Sequence, residues 1–153
     1  MTLSFQGRLS YVGGFVLDVA FDTLEARTAI CGPSGSGKTT ILALIAGLLR
    51  PSVGRIVLDD RVLEDTAAGV RVAPQDRGVG LVYQDNLLFP HRSVERNLRY
   101  GLERRPLKSL SFDRVVEVLE LRELLSRRPS TLSGGQARRV ALGRALLRGP
   151  ALL

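Results

Sequence analysis

The chain has little of the residue types on which several kinds of site depend. Its 153 residues include one cysteine, one histidine and no tryptophan. Because a single thiol cannot form an internal disulfide, Cys31 fits a reducing compartment, and we expect it to be buried in a strand. His91 is the only histidine, so a metal centre built on several histidines and a His-based catalytic triad have no support.

Long apolar segments are lacking too. The longest wholly apolar run covers residues 41–49, which is too short to cross a bilayer. The N-terminus does not have the basic-then-apolar layout of a signal peptide. Since 44% of the residues are hydrophobic, we nevertheless expect a domain with a substantial core.

The net charge of +7 could indicate an anionic partner. The arginines, however, are dispersed in pairs rather than gathered in one block. No aromatic residues are interleaved with them, as a surface for single-stranded nucleic acid requires. We therefore predict no nucleic-acid partner. The pairs are Arg104-Arg105, Arg127-Arg128 and Arg138-Arg139.

Residues 32–39 match the pattern G-x-x-x-x-G-K-[ST] of a phosphate-binding loop at every required position. Its glycines let backbone N–H groups line a concave nest for phosphate oxygens. Lys38 adds a positive charge, and the Thr39 hydroxyl can ligate the Mg2+ that accompanies a nucleotide. We therefore predict binding of a nucleoside triphosphate. The loop comprises Gly32, Pro33, Ser34, Gly35, Ser36, Gly37, Lys38 and Thr39.

The flanking residues favour this function over a glycine-rich turn that fits the pattern by chance. A phosphate loop follows a strand and opens a helix. Residues 27–31 form a short, mostly apolar run typical of a strand. Residues 40–49 are rich in helix formers and end before Arg50-Pro51. The start of that helix would direct its positive dipole end at the phosphates.

A second predicted helix start carries two adjacent glycines. Ser133 and Gln136 fit a capping box, so an ordinary helix start explains both of them. It does not explain Gly134 and Gly135, since each glycine costs a helix about 1 kcal/mol relative to alanine. Glycines at this position let an anion approach bare N–H groups, so we predict a second anion site.

An aromatic ring near the N-terminus is expected to stack on adenine. Tyr11 and Phe15 are the candidates. Residues 15–21 alternate as in a strand, which favours a packing role for Phe15, whereas Tyr11 precedes a Gly13-Gly14 turn. We choose Tyr11, and ordinary strand packing is the alternative for either ring.

An apolar run at residues 79–83 predicts a buried parallel strand, and Gln84 follows it directly. Ligands of open α/β sheets bind at the carboxyl ends of the strands. A glutamine in this place is a weak signal alone, but it gains weight from its position between the two glycine-containing motifs.

Residues 132–136 resemble the signature sequence of ATP-binding cassette (ABC) ATPases, and their spacing from the phosphate loop resembles that of the family. This resemblance implies that the loop and Thr40 hold ATP, with Tyr11 as the adenine-stacking aromatic. It further implies a head-to-tail dimer of two ATPase subunits. In such a dimer, residues 133–136 of one subunit cover the γ-phosphate of ATP bound to the other.

The same resemblance implies roles in catalysis and metal binding. Gln84 resembles the glutamine that contacts Mg2+ and the attacking water in ABC ATPases. Lys38 and Gln84 would therefore be the catalytic residues, and Thr39 and Gln84 the metal ligands. ATP and Mg2+ are the implied cofactors.

Residues 76–101 carry a closer likeness. Leu88-Phe89-Pro90-His91 together with Asn97-Leu98-Arg99-Tyr100-Gly101 resembles the ATPase subunits of molybdate importers, within a wider group that serves sulfate, polyamines and sugars. This resemblance implies a peripheral subunit at the cytoplasmic face of the inner membrane. Its partners would be transmembrane permease subunits, contacted near Phe89–His91, and ATP hydrolysis would drive uptake of molybdate or a related oxyanion.

The predicted fold class is α/β, a P-loop NTPase core with an N-terminal antiparallel β-subdomain and a helical subdomain. Residues 1–25 and 54–63 alternate like antiparallel strands. Residues 86–147 are predicted to be mainly helical, and the whole chain is predicted to be one nucleotide-binding domain, incomplete at its C-terminus. The apolar residues at helical spacing are Phe112, Val115, Val116, Leu119, Leu121 and Leu124.

The family pattern is unfinished in this chain. ABC ATPases continue their next apolar strand into an aspartate that orders Mg2+ and a glutamate that activates water, and residues 149–153 contain neither. The chain therefore resembles the N-terminal part of an ABC ATPase. Two alternatives to an importer subunit remain, namely a soluble ABC-type ATPase and a nonhydrolytic nucleotide-binding fragment.

We expect residues 1–153 to bind ATP with negligible turnover. Lys38, Thr39 and Gln84 supply charge and positioning, but phosphoryl transfer to water also needs a group that orders the metal and the nucleophile. A phosphate-release assay on the purified chain measures this. Mg2+-dependent hydrolysis that disappears in Lys38→Ala would contradict the expectation.

Overall fold

The computed structural model describes residues 1–102 and 110–153. They form two compact units, Met1–Arg77 and Gly78–Leu153. The Arg104-Arg105 pair and part of the predicted helical stretch lie outside the described residues.

A five-stranded antiparallel sheet with the order β2-β1-β3-β4-β5 dominates the first unit. It confirms the antiparallel strands predicted for residues 1–25 and 54–63. The strands are β1 (Leu3–Ser10), β2 (Val16–Thr23), β3 (Val53–Leu58), β4 (Arg61–Asp65) and β5 (Val70–Arg71).

One face of this sheet is apolar, because alternate residues of a strand point to the same side. Phe5 of β1 lies opposite Phe21 of β2 and Ile56 of β3. The two phenylalanine rings stack with their centroids 5.2 Å apart. Phe5, Ile56 and Leu63 of β4 are almost completely buried. Each such side chain contributes about 1.5–3 kcal/mol of hydrophobic stabilisation.

Helix α1 (Lys38–Ile45) begins directly at the phosphate loop, as predicted, but it ends at Ile45 rather than at Leu49. Gly47 stops it with a left-handed φ of 79°. The N–H groups of Gly47 and Leu48 bond back to carbonyls of the last turn at 3.1 and 2.9 Å. This is the usual way in which a glycine satisfies the end of a helix.

The strand predicted at residues 27–31 is not formed. Within the described residues this segment makes no interstrand backbone hydrogen bond, and a strand exists only through the partner with which it pairs. Cys31 is consequently exposed, and the prediction that it is a buried strand residue is wrong.

The parallel strand predicted at residues 79–83 is reduced to a single bridge. Val79 pairs in parallel with Leu152, and the Gly80 N–H donates to the Leu152 carbonyl at 2.7 Å. A buried parallel strand needs neighbours on both edges and cover on both faces. Residues 79–82 are only half-buried and Tyr83 is exposed, so the prediction of a buried strand is wrong.

Three α-helices lie in the described part of the second unit, which confirms the helical character predicted there. The helices are α2 (Val94–Leu102), α3 (Phe112–Val118) and α4 (Gly134–Leu147). Helix α3 is shorter than the apolar spacing suggests, because Glu120 adopts a left-handed φ of 52°. The apolar residues still share one core, made of Val94, Leu98, Val115, Val116, Leu121, Leu124, Val140 and Leu147.

Arg77 is a fully buried charged side chain in the first unit. Its guanidinium donates to the carbonyls of Leu44 and Ile45, at the C-terminal end of α1, at 2.9 and 3.2 Å. It also donates to the Val72 carbonyl at 2.9 Å and pairs with the Glu64 carboxylate of β4. Arg77 therefore ties the end of α1 to the sheet, at a place where the helix dipole favours a cation.

We expect Arg77→Met to destabilise the chain by about 3–5 kcal/mol, because it leaves the Glu64 carboxylate buried without its partner. Arg50→Met is the matched control. Arg50 lies 3.8 Å from the other Glu64 oxygen but is itself largely exposed, so its loss should cost at most about 1 kcal/mol. Urea unfolding followed by circular dichroism measures both variants, and equal losses would contradict the role assigned to Arg77.

Candidate functional site

The phosphate loop has the backbone that its glycines predict. Gly35 and Gly37 have φ angles of 79° and 93°, which side-chain-bearing residues rarely adopt. Gly37 is also the N-cap of α1, and no side chain caps the helix there. The first N–H groups of α1 are therefore available to an anion, and they carry the positive end of the helix dipole.

Gly37 is needed for space as well as for conformation. A Cβ atom at this position would lie 2.7 Å from Leu17 Cδ1 and 3.3 Å from Phe15 Cζ. The loop therefore lies directly against the start of β2 and the residue before it. A side chain at this position would have to displace the ends of the Leu17 and Phe15 side chains.

Lys38 closes the loop on itself. Its Nζ donates to the carbonyls of Gly32 and Pro33 at 2.9 and 2.7 Å. An ammonium group has three N–H donors, so these two bonds leave one donor for a ligand. The positive charge is thereby held over the concave side of the loop.

Two aromatic rings and the loop line one cavity of about 360 Å³, within the range of roughly 300–1,000 Å³ usual for small-molecule sites. Tyr11 and Phe15 lie with their ring centroids 6.0 Å apart. The Tyr11 hydroxyl is 3.1 Å from Thr40 Oγ1, which fixes this ring beside α1. The lining residues are Tyr11, Phe15, Ser34, Gly35, Gly37, Lys38, Thr39 and Thr40.

Phe15 differs from its prediction. It precedes β2 rather than belonging to it, and it is exposed in the cavity instead of packed in a core. The alternation of residues 15–21 placed the start of the strand one residue too early. The assignment of adenine stacking to Tyr11 stays a prediction, since both rings reach the cavity.

The residues present fit a metal that arrives with a nucleotide. Thr39 is exposed in the cavity, where its hydroxyl oxygen is the kind of ligand that Mg2+ accepts. Within the described residues no cluster of three or more His, Cys, Asp or Glu side chains could hold a metal by itself. Mg2+ usually keeps several waters and binds through substrate phosphates plus one or two protein oxygens. The Thr39 hydroxyl can supply one such protein oxygen.

The second predicted anion site has the expected backbone. Ser133 Oγ accepts from the Gln136 N–H at 3.3 Å, and Gln136 Oε1 accepts from the Ser133 N–H at 2.9 Å, so the capping box is complete. A Cβ atom at Gly134 or Gly135 would meet nothing within 4 Å. The described residues therefore give no packing reason for the glycines. Binding of an anion there stays a prediction.

Gln84 lies exposed in a turn of the second unit. Asn86 and Leu87, which follow shortly after Gln84 in the chain, have left-handed φ angles of 59° and 42°. The Arg144 guanidinium of α4 donates to the Asn86 carbonyl at 3.3 Å. Burial lowers the pKa of Arg144, only partly offset by the charge interaction with Tyr100 that raises it. The role of Gln84 in metal and water binding stays a prediction.

The sequence analysis assigned no role to two buried residues, one in each unit, that hold neighbouring segments in place through hydrogen bonds. Arg77 holds the end of the helix that begins at Lys38, and Asn97 of α2 is completely buried. The signal for Asn97 was present in the sequence, since it lies between Val94 and Leu98 on the apolar face of the helix. A polar residue at a core position needs internal hydrogen-bond partners.

Comparisons with known proteins give close relatives. The sequence profile described as ABC transporter matches residues 21–153. The Molybdenum import ATP-binding protein ModC of Mesorhizobium japonicum is 49% identical over 144 residues, which are 93% of this chain and 39% of that protein. ModC of Brucella abortus is 48% identical over 155 residues, 100% of this chain and 42% of that protein. The chain thus spans 39–42% of the length of these curated relatives.

Solved structures share the fold. A dimeric ATP-binding cassette in a post-hydrolysis state, bound to ADP and Pi, aligns with a TM-score of 0.77 and 27% identity, covering 98% of this chain and 71% of that one. The cbiO1 subunit of an ABC transporter complex from Clostridium perfringens aligns with a TM-score of 0.74 and 26% identity, covering 97% and 62%. These alignments confirm the predicted fold class.

We expect Lys38→Met to weaken ATP binding by about 10- to 100-fold, the loss that follows from removing one charged hydrogen bond of about 1.5–3 kcal/mol. Cys31→Ser is the matched control, because Cys31 precedes the loop but does not line the cavity. It should leave the affinity unchanged. Calorimetry with the purified chain measures both, and an unaltered affinity in Lys38→Met would refute the role given to the loop.

Proposed function

We propose that this chain, which belongs to the ABC transporter family, is the ATP-binding part of an importer ATPase subunit for molybdate or a related oxyanion. The observation that carries the proposal is the cavity in which the phosphate loop, the open start of α1 and two aromatic rings come together. The close relatives named as molybdenum import proteins support the choice of solute.

In this proposal, groups of this chain bind ATP at its phosphates and at its adenine. N–H groups of the loop and of α1 bind the β- and γ-phosphates, and Lys38 adds its remaining N–H donor and its charge. An aromatic face, that of Tyr11 in our assignment, takes the adenine. Thr39 would hold Mg2+, which supplies neutralisation of phosphate charge when bound. Gln84 would contact the metal and orient the attacking water.

We assign the start of α4 to the ATP of a second subunit. The backbone at Gly134 and Gly135 is open, and a helix start attracts a phosphate group. The solved cassette bound to ADP and Pi is dimeric, and that supports a dimer for this protein as well. The proposed assembly is a head-to-tail homodimer in which residues 133–136 face the partner's nucleotide.

The proposed partners in the membrane are permease subunits, contacted near Phe89–His91. Within the described residues, no helix is long and apolar enough to cross a bilayer. Proposed binding at the cytoplasmic face of the inner membrane would therefore go through the permease. ATP binding and hydrolysis would then drive uptake of the oxyanion.

Binding to purified permease tests this function. Detergent-solubilised permease subunits of a molybdenum importer, prepared without their ATPase subunit, should retain the chain, and those of a sugar importer should retain at least about tenfold less, a difference of roughly 1.4 kcal/mol. Equal retention would remove the solute assignment. No retention by either permease would remove the importer assignment.

We expect Gly135→Asp to block dimers that form with ATP and Mg2+ while leaving ATP binding by the monomer unchanged, because it sets a carboxylate against the partner's phosphate. Val118→Asp is the control, since it adds the same charge at an exposed position of α3. Light scattering with and without ATP measures the dimer. Normal dimers in Gly135→Asp would rule out a phosphate contact at α4.

A further inference from the structure

The loop that precedes α2 is held from inside by one side chain. We define the Phe89–Ser93 loop as residues 89–93. Asn97, in the second turn of α2, is 0% exposed, and its amide is directed at this loop. It is the buried polar side chain of the second unit's described residues.

All four side-chain hydrogen bonds of Asn97 go to the loop backbone. Its Oδ1 accepts from the Phe89 N–H at 2.8 Å. Its Nδ2 donates to the carbonyls of Phe89, Arg92 and Ser93 at 3.2, 3.2 and 3.0 Å. An amide group has two N–H donors, so one of them is shared between two carbonyls. These bonds fix both ends of the loop to the same point of α2.

Contacts between aromatic rings and arginine side chains also hold the loop. The Phe89 ring meets the Tyr100 ring edge-on with centroids 4.7 Å apart. The Arg92 guanidinium lies 5.5 Å from the Phe89 ring and 5.4 Å from the Tyr100 ring, and that of Arg144 lies 5.2 Å from the Phe89 ring. Pro90 and His91 remain exposed at the tip.

We propose that Asn97 is a positioning residue that holds the Phe89–Ser93 loop in a preformed shape for docking to its partner. The docking part rests on the proposed function, in which permease subunits contact Phe89–His91. A loop that is ordered in advance loses less conformational freedom when a partner binds, so its affinity is higher than that of a mobile loop with the same side chains. Asn97 acts only through the loop, since it is buried beneath it.

Asn97→Asp removes the N–H donors of this side chain and keeps an oxygen acceptor. The carboxylate keeps an acceptor for the Phe89 N–H but presents oxygen to three carbonyl oxygens. Asn97→Ser is a second variant, uncharged and too short to reach both ends of the loop, in case the buried carboxylate prevents folding. Leu98→Ala is the matched control. Leu98 is an equally buried neighbour on α2 and belongs to the apolar core. Its truncation destabilises the protein but removes none of the hydrogen bonds to the loop.

Two measurements report on the loop in the free chain. His91 is the only histidine, so its imidazole NMR signals need no assignment and report the loop tip. Hydrogen exchange of the Phe89 amide reports the bond to Asn97 Oδ1. We expect at least about tenfold faster Phe89 exchange and shifted His91 signals in Asn97→Ser, and neither change in Leu98→Ala. In Asn97→Asp the His91 signals should shift as well.

Docking is measured with the solubilised permease subunits of a molybdenum importer. We expect the Asn97 variants to bind them about tenfold more weakly with unaltered ATP affinity, and Leu98→Ala to bind as the unsubstituted chain does. If the Asn97 variants and Leu98→Ala change loop signals and permease affinity alike, Asn97 is merely structural and the proposal is overturned. If the unsubstituted chain does not bind permease, the proposed function and the docking role fail together, and exchange and NMR still decide whether Asn97 holds the loop.

Discussion

The guanidinium of Arg77 fixes the first unit from its interior. It bonds the last carbonyls of α1 and pairs with Glu64 of β4, so the end of the helix is tied to the sheet. Gly47 leaves the space that this guanidinium fills, since a Cβ there would collide with it. An eight-residue helix is about 12 Å long and stiff, so holding its C-terminal end also sets the direction of its N-terminal end. The position of Lys38 over the loop therefore depends on a contact at the opposite end of α1.

The two helix starts prepare their N–H groups differently. Gly37 caps α1 without a side chain, which leaves the first turn open. Ser133 caps α4 and uses the Gln136 N–H for itself, so only the backbone at Gly134 and Gly135 stays free. A start with more free donors suits a polyphosphate enclosed by the loop. A start with fewer donors suits a single phosphate group that approaches from outside, which agrees with the proposed division between own and partner nucleotide.

Local patterns in the sequence predicted what local forces decide. The phosphate loop, the capping box at Ser133 and the pairing of β1 with β2 depend on residues close together in the chain, and the structure confirms each backbone. Residues 27–31, predicted as a strand, and residues 79–83, predicted as a parallel strand, were misjudged because a strand depends on pairing partners that no local pattern contains. Arg77 escaped notice for the same reason, since its partners Leu44 and Glu64 are far away in sequence.

The two hydrogen bonds from Lys38 to its own loop have a kinetic consequence. Because the bonds to Gly32 and Pro33 already hold the concave shape, an incoming triphosphate meets a finished surface and need not wait for the backbone to fold around it. Association of different nucleotides would then proceed at similar rates. The nucleotides would differ in their dissociation rates, which depend on the contacts that each base and phosphate makes.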